Sequence, residues 1–322
     1  MIAEALQRIS REYAEATRQP YAGHPLAHYI RHDVPALFPQ HFPQFPHLIW
    51  HASPGIGLWA DAPWIGVFDP IVTESAQNGY YPVYLFSRSL DRVYLSLNQG
   101  MAQLRQEFGD NQTKEILSHR ATILRNRLAG LYEDSFPTKE IDLQPTGAHT
   151  RLAMYEPGHA FGLMYELATI PPTDRLVEHA TRMLELYELA TARGGTSEFD
   201  IGQPSPDPLQ PDLGNMTLDE IRRYRYHRSI ERNPRLAREV KRIHGYSCQV
   251  CGFNFELTYG PLGREYIEAH HLTPLAQLPP GVPVQLSPRD DFAVVCANCH
   301  RMIHRTGAPP SFDEFRRILA RG

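Results

Sequence analysis

The chain has 322 residues, of which 42% are hydrophobic and 21% are charged, a composition that is typical of folded globular proteins and excludes a largely disordered one. At about twice the length of a common domain, it is expected to form two domains with separate cores. The net charge of -4 gives the chain as a whole no general affinity for nucleic acid.

No segment predicts a membrane span or a secretory signal. No run approaches the roughly 18 to 20 apolar residues that cross a bilayer. The start of the chain, MIAEALQRISREYAEATRQ, is charged throughout and lacks the apolar core of a signal peptide. We therefore expect a cytoplasmic protein with no membrane partner.

The first part of the chain predicts an α+β domain, residues 1–193. A helical N-terminus is followed by short aromatic and β-branched segments over 47–100, which are punctuated by Gly, Pro and Asn and are typical of strands joined by turns. Longer helical patterns cover about 101–131 and 173–193. Between them, HTRLAMYE at 149–156 is strand-like.

A segment rich in proline and glycine, 194–216, predicts a partly stiff linker. The remainder, 217–322, is then a second, smaller domain.

The second domain opens with a basic stretch. Between Asp219 and Arg242 the basic residues outnumber the acidic ones, and four of them, Arg235, Arg238, Lys241 and Arg242, lie directly before the first cysteine pair. A solvated helix face with i,i+4 ion pairs is one interpretation. Contact with DNA phosphates is the other, and the position beside candidate chemistry favours it.

The cysteines form two pairs, each with a two-residue gap: Cys248 with Cys251, and Cys296 with Cys299. This spacing lets both thiolates of a pair reach one metal ion from a tight turn. Four unrelated buried cysteines are the alternative, but the chain has only these four. We predict a structural zinc site with all four positions filled by protein.

Histidines follow the cysteine motifs. His270 and His271 are adjacent, and His300 and His304 have the i,i+4 spacing that places two imidazoles on one face of a helix. Isolated histidines are more often structural, whereas two tight pairs beside a zinc motif favour a second metal site.

These motifs resemble the HNH endonucleases, which have the ββα-metal fold. The matching strings are Cys248-x2-Cys251, IEAHHLTP and DDFAVVCANCHRMIH, and the resemblance covers about 231–305. It implies that His271 is the general base, which takes a proton from the attacking water. It also implies that His270, His300 and His304 bind one divalent ion, Mg2+ or Mn2+, with Ni2+, Co2+ or Zn2+ as further candidates.

The HNH resemblance leaves two points open. Adjacent residues of a regular strand face opposite sides, so these roles for His270 and His271 require a bend or an irregular strand end. The position that is usually Asn, and that fixes the base histidine, is Asp291 here. An aspartate can accept a hydrogen bond from the imidazole, so we expect activity to survive. Glu268 is an auxiliary catalytic candidate, or else a solvated strand residue.

The N-terminal domain carries aromatic residues at a density that usually indicates a core. The stretch nevertheless resembles the DNA-binding domain of McrB-type modification-dependent restriction proteins, loosely over about 20–190. The carrying residues are Gly55-Ile-Gly57, Trp59, Pro63-Trp64 and Gly79-Tyr-Tyr81-Pro82-Val83-Tyr84-Leu85. The resemblance implies a reader that flips a modified cytosine into a pocket lined by Trp64 and Leu85, with Ile56 at its mouth and Tyr81 and Trp59 nearby.

The sequence therefore predicts a modification-dependent, type IV-like restriction endonuclease acting on double-stranded DNA. No G-x4-G-K-[ST] loop occurs, so cleavage should need metal but no nucleotide. One HNH site cuts one strand at a time, which makes a homodimer a partner hypothesis. The alternatives are an HNH nuclease with other targeting, such as unmodified DNA or a toxin-like role, and a catalytically decayed DNA-binding protein.

Overall fold

The computed structural model divides the chain into two compact units, Met1–Asp200 and Ile201–Gly322. Each unit has its own hydrophobic core. Most of the predicted linker lies outside the described residues, so its bounds stay a prediction. The residues that the structure describes are 1–138, 140–196, 234–272, 286–303 and 311–319.

The first unit is built on an antiparallel sheet, which in the described residues has five strands in the order β1-β2-β3-β4-β5. The strands are β1 (Ile49–Gly55), β2 (Trp59–Phe68), β3 (Tyr80–Phe86), β4 (Arg92–Gln99) and β5 (Phe161–Glu166). The first four form where the short aromatic and β-branched segments predicted them. Strands that are neighbours in sequence are therefore also neighbours in the sheet.

Helices surround this sheet. The longer ones are α1 (Ile2–Ala16), α4 (Ala102–Arg127) and α6 (Thr173–Ala192), and the shorter ones are α2 (Pro25–His28), α3 (Val34–Ala36) and α5 (Arg151–Gly158). A π-helical turn, Tyr29–Asp33, joins α2 to α3, and 3-10 turns cover Pro39–His41 and Leu167–Thr169. The helix predicted near 101–131 is interrupted at Gly109, whose φ of 71° is left-handed.

The strand-like prediction at 149–156 is wrong, because this segment begins α5. The side chain of Thr150 caps the helix by accepting the amide of Ala153 at 3.3 Å. A short apolar segment does not distinguish helix from strand by its pattern, and here the cap decides.

One face of the sheet packs against α6. Ile65, Tyr84 and Leu95 line a small cavity together with Ala180, Met183 and Leu184 of α6. Residues one position out of phase point the other way. Trp64 and Leu85 therefore lie on the face opposite α6.

The second unit contains a ββα arrangement. Strands β6 (Glu268–His271) and β7 (Phe292–Val295) pair antiparallel and are followed by α9 (Ala297–Ile303). The flanking elements are α7 (Pro234–His244), α8 (Phe255–Tyr259), a 3-10 turn (Gly260–Gly263) and α10 (Phe312–Leu319). Among the described residues, no helix combines the length and apolar character that a membrane crossing requires.

The core of the second unit joins these elements. Buried Val240 of α7, Val294 of β7 and Ile303 of α9 belong to one cluster, together with Phe315 of α10. Three of the four cysteines belong to the same cluster. The mixed α+β class with two units, predicted from sequence, is confirmed.

Candidate metal centre and DNA-reading face

The four cysteines meet at one point. Their sulfur atoms all lie within 4.8 Å of one another, and Sγ of Cys251 is 3.7 Å from Sγ of Cys296. This is too long for a disulfide, whose sulfurs are about 2.05 Å apart. Four thiolates at about 2.3 Å from a tetrahedral zinc ion lie roughly 3.8 Å from one another. The cluster therefore fits a zinc ion.

Local backbone geometry builds both cysteine turns. The amide of Gly252 donates to the carbonyl of Cys248 at 2.8 Å, and Gly252 adopts a left-handed φ of 75°. In the second pair, the amide of Cys299 donates to Sγ of Cys296 at 3.4 Å. Each two-residue gap thus closes a turn that brings its two sulfurs to the same side.

The thiols are not equivalent. Burial raises the pKa of Cys296 and of Cys299. Burial also opposes ionisation of Cys248, but hydrogen bonds from backbone amides, including those of Cys251 and Cys296, lower its pKa to about 7. Several buried sulfurs this close together need a cation before all can be thiolates, which is the chemistry of a structural zinc site.

Glu268, His270 and His300 form a second group beside the cysteines. Nδ1 of His300 lies 2.6 Å from Oε2 of Glu268. The rings of His270 and His300 have centroids 5.2 Å apart at an interplanar angle of 72°. Glu268 and His270 are two residues apart on β6 and so share the strand face that meets α9. A carboxylate and two imidazoles therefore converge.

His271 is placed differently from His270. It pairs directly with Phe292 across the β6–β7 ladder, and the two rings have centroids 5.2 Å apart. The ladder stays regular through His271, so the bend that we expected is not found within β6. His271 is 1% exposed. Its role as general base stays a prediction.

Asp291 lies beside the end of β6, and its carboxylate organises the preceding turn. The amide of Ser287 donates to Oδ2 of Asp291 at 2.7 Å, while the carbonyl of Asp291 accepts the amide of Leu272 at 2.8 Å. Asp291 thus fixes the turn that leads into β7. An additional role toward His271 stays a prediction. His304 lies outside the described residues.

The basic residues before the cysteines lie on α7. Arg238 and Arg242 are exposed, and Lys241 is half-buried. Arg242 pairs with Glu239 at 2.6 Å, an i,i+3 contact that lowers the pKa of this carboxyl. Arg235 lies in the first turn of the same helix. The exposed side of α7 is therefore basic but partly neutralised within the helix.

In the first unit, the predicted pocket residues share one sheet face. Trp64 and Leu85 are direct cross-strand partners in β2 and β3. Phe68 contacts the rings of both Trp64 (6.3 Å, edge-on) and Tyr81 (4.8 Å). Leu85 and Tyr81 are buried, whereas Trp64 is half-buried and presents part of its indole to the surface.

The β1–β2 turn carries Ile56 at its tip, 83% exposed, with Leu58 beside it, 77% exposed. The base of the turn is anchored through the carbonyl of Gly55, which accepts hydrogen bonds from Tyr21 (2.7 Å) and Arg31. Two bulky apolar side chains are therefore held in water by a fixed hairpin.

Trp59 anchors the base of this hairpin. Its ring meets Tyr13, Tyr21 and His24 edge-on at 5.0–5.3 Å, and its indole N–H donates to the carbonyl of Gln19 at 2.9 Å. These contacts occupy the ring of Trp59, which the sequence predicts to lie near the base pocket. Its direct contact with a base stays a prediction.

Two family models match the chain. The model described as "MrcB-like, N-terminal domain" covers residues 8–191, more than half of the chain. The chain belongs to this family. The model described as "HNH endonuclease" covers residues 248–306. No curated protein and no solved structure matches the chain significantly.

The two matches confirm the fusion predicted from sequence. The second unit carries an HNH endonuclease domain, so the protein is a metal-dependent nuclease. Together with the MrcB-like domain, this architecture is that of a type IV-like restriction nuclease with DNA as its partner.

Sequence reasoning missed several residues at these sites. Phe312 of α10 lies beyond the HNH match, and its ring faces His270. Leu58 lies in the exposed β1–β2 turn of the MrcB-like domain, and Arg31, from the π-helical turn Tyr29–Asp33, donates to the carbonyl of Gly55 at the base of that turn. The Gly-Ile-Gly-Leu string was a usable signal for an exposed tip, whereas nothing in the sequence spacing connected Phe312 to the histidines.

Proposed function

We propose that this protein is a modification-dependent restriction endonuclease, which recognises modified cytosine in double-stranded DNA by base flipping and hydrolyses the phosphodiester backbone at a single-metal HNH site. The observation that carries the proposal is the carboxylate–histidine group, Glu268, His270 and His300, beside a zinc-fitting cysteine cluster in a chain that also has an MrcB-like domain. We also propose 1–193 as the reader, 194–216 as the linker and 217–322 as the nuclease domain.

In the nuclease site, His270 and His300 are the proposed ligands of the catalytic ion, with His304 as the third. Oε2 of Glu268 lies 2.6 Å from Nδ1 of His300 and would accept the proton of that atom, so that His300 would bind the ion through Nε2. When bound, a divalent ion neutralises charge on the scissile phosphate and on the leaving oxygen. His271 then takes the proton of the attacking water.

His271 must move for this assignment to hold. Its ring is buried beside Phe292, on the strand face away from His270. Because β6 ends at His271, a shift of this one residue at the strand end exposes the imidazole without breaking the earlier ladder pairs. Catalytic hydrogen bonds are often long or poorly aligned in apo structures and tighten only when the substrate is bound.

In the MrcB-like domain, the proposed pocket uses the sheet face away from α6. Half-buried Trp64 offers an indole for stacking, Leu85 lies directly opposite it, and buried Tyr81 supports the floor through Phe68. Flipping costs a few kcal/mol of lost base stacking. Stacking on an indole, worth about 1 to 3 kcal/mol, offsets much of this cost.

Supporting contacts to the DNA are assigned by exposure and charge. Exposed Ile56 at the hairpin tip is the proposed residue at the pocket mouth, and Arg238, Lys241 and Arg242 on α7 are the proposed phosphate contacts. Double-strand cleavage requires two active sites or two successive nicks, so a homodimer on DNA is part of the proposal. The structural ion is zinc, and the catalytic ion is Mg2+ or Mn2+.

The experiment compares matched plasmids that are unmodified, fully 5-methylcytosine-substituted or fully 5-hydroxymethylcytosine-substituted. Each is incubated with the full chain and Mg2+ or Mn2+, without nucleotide, beside His271→Ala and Trp64→Ala variants. We expect cutting of modified plasmid only, no cutting by His271→Ala, and loss of discrimination or of binding in Trp64→Ala.

The other outcomes separate the two halves of the proposal. Equal cutting of all three plasmids retains the nuclease and refutes the reader. Absence of cutting with every metal, in protein that contains zinc and binds modified DNA, refutes the catalytic assignment and favours the decayed-site alternative.

A further inference from the structure

Helix α10 lies outside the HNH match yet touches the proposed metal site. We propose that Phe312, the first residue of this helix, is a positioning residue: its ring packs against His270 and holds that imidazole in its metal-binding orientation. This inference rests on the proposed role of His270 as a ligand.

The contact is between two nearly parallel rings. The centroids of His270 and Phe312 are 6.3 Å apart, and the ring planes differ by 27°. The ring of His300 approaches the same imidazole at 72°, with centroids 5.2 Å apart. The ring of Phe312 thus stacks nearly parallel to the imidazole of His270, and the ring of His300 approaches it edge-on. His270 is 5% exposed.

The helix is built so that Phe312 has a fixed position. The carbonyl of Ser311 accepts the amide of Phe315 at 2.9 Å, and Oγ of Ser311 accepts the amide of Glu314 at 3.3 Å. Phe315, three residues on and hence on the same side of the helix, is 7% exposed and belongs to the core of the second unit. Because Phe315 is anchored, Phe312 is held over the end of β6.

A flat partner matters for His270 in particular. His270 is the third residue of a four-residue strand in a two-stranded sheet, and its pairing with Ala293 fixes its backbone but not its side-chain torsions. Rotation about χ2 of an imidazole is broad, and a ligand nitrogen must point at the ion. An aromatic ring packed along the imidazole plane limits that rotation, whereas an aliphatic side chain of similar volume fills the space without selecting an orientation.

The test measures metal binding directly. Full-length protein loaded with one zinc ion per chain is titrated with Mn2+, and free Mn2+ is followed by its electron paramagnetic resonance signal. The variants are Phe312→Leu, which keeps apolar volume, Phe312→Tyr, which keeps the ring, and His270→Ala. Ile318→Ala is the matched control, because this side chain is 58% exposed on the same helix.

We expect Phe312→Leu to bind Mn2+ about fivefold more weakly, the equivalent of the ~1 kcal/mol typical of an aromatic pair. Phe312→Tyr should restore affinity to within about twofold of the wild type, and Ile318→Ala should match the wild type. Zinc content and the unfolding midpoint of the second unit should stay unchanged across the series. If the leucine variant loses zinc, Phe312→Met takes its place.

Two results would overturn the inference, and only the second would also overturn the proposed metal site. If His270→Ala abolishes Mn2+ binding but both Phe312→Leu and Phe312→Met bind like the wild type, the positioning role is wrong while the metal site stands. If His270→Ala itself binds Mn2+ like the wild type, the proposed metal site fails and the role of Phe312 fails with it.

Discussion

The buried histidine of the MrcB-like domain, His159, should make that domain acid-sensitive. Nδ1 of His159 accepts from the hydroxyl of Ser96 at 2.7 Å, and Nε2 donates to the carbonyl of Thr138 at 3.0 Å. Asn98 donates to the same hydroxyl at 3.1 Å, which joins the ring to β4. His159 is 2% exposed, and burial, with the nearby Arg125 guanidinium, lowers its pKa to about 4.

Because the pKa of His159 is lowered in the folded state, acidification destabilises the folded MrcB-like domain. A histidine with a folded-state pKa below its ordinary value of 6.5 contributes stability that is present above pH 6.5 and is lost as the pH falls toward 4. At pH 4.5 the unfolded chain binds this proton and the folded chain mostly does not. The loss relative to pH 7 is then ~2.5 kcal/mol in the free energy of unfolding.

The chain offers a clean assay for this loss. All three tryptophans, Trp50, Trp59 and Trp64, belong to the first unit. Indole emission during urea unfolding therefore reports that unit alone in the full-length protein. With a urea slope of about 2 to 3 kcal/mol per molar, the midpoint should fall by roughly 1 M between pH 7 and pH 4.5.

The control for this prediction is His159→Gln, which keeps a polar side chain without a titrating group. The variant is expected to be less stable than the wild type at pH 7, and its midpoint should fall less on acidification, since carboxylates and His179 contribute the remainder. An identical pH dependence in variant and wild type would refute the reasoning.

Three further predictions concern the metal centres and the hairpin. Cys296→Ser should abolish zinc binding and unfold the second unit. Atomic absorption should then show loss of zinc, and far-ultraviolet ellipticity should fall while tryptophan emission stays unchanged. Retained zinc would contradict the four-cysteine assignment. Glu268→Gln should weaken Mn2+ binding by about 10-fold with zinc content unchanged, because an amide orients the Nδ1 proton of His300 less strongly than a carboxylate; wild-type affinity would show that the 2.6 Å pair does not serve the ion. Trp59→Phe should lower the free energy of unfolding of the first unit by ~1 kcal/mol for the lost indole hydrogen bond, seen as a lower urea midpoint. Trp64→Phe, at a half-buried site, should weaken binding to modified duplex more than it lowers stability, and the reverse ranking would exchange the roles assigned to the two tryptophans.

Local sequence motifs were predictable, whereas the side of a helix or strand on which a residue meets its neighbours was not. The cysteine cluster was predictable because a two-residue gap closes a turn by itself, so spacing alone sets where the sulfurs point. The first four strands were predictable from their aromatic and β-branched segments. The segment after Thr150 was not, since a side-chain cap outweighed an ambiguous apolar pattern.

The contacts that the sequence did not predict depend on which side of a strand or helix packs against which neighbouring strand or helix. The sequence indicated that His270 and His271 face opposite sides of a regular strand, but only the fold shows that the ladder is regular through His271 and that Glu268 accompanies His270. Phe312 reaches His270 through a helix that follows the motif in the chain. The carboxylate of Asp291 closes the turn at Ser287, a contact that the sequence did not indicate, and its role toward His271 stays a prediction.

The proposed catalytic site depends on elements that the cysteine cluster of the nuclease domain holds in place. Cys299 directly precedes His300 on α9, and Cys296 directly follows β7, whose pairing with β6 places Glu268 and His270. Closing the cysteine cluster therefore fixes the start of α9 and the register of the strand pair, and these are the two elements that bring Glu268 to His300. We therefore expect that a metal ion at the cysteine cluster is needed before the proposed catalytic ion can find its ligands, whereas removal of the catalytic ion alone should leave the cysteine cluster and the fold of the domain intact.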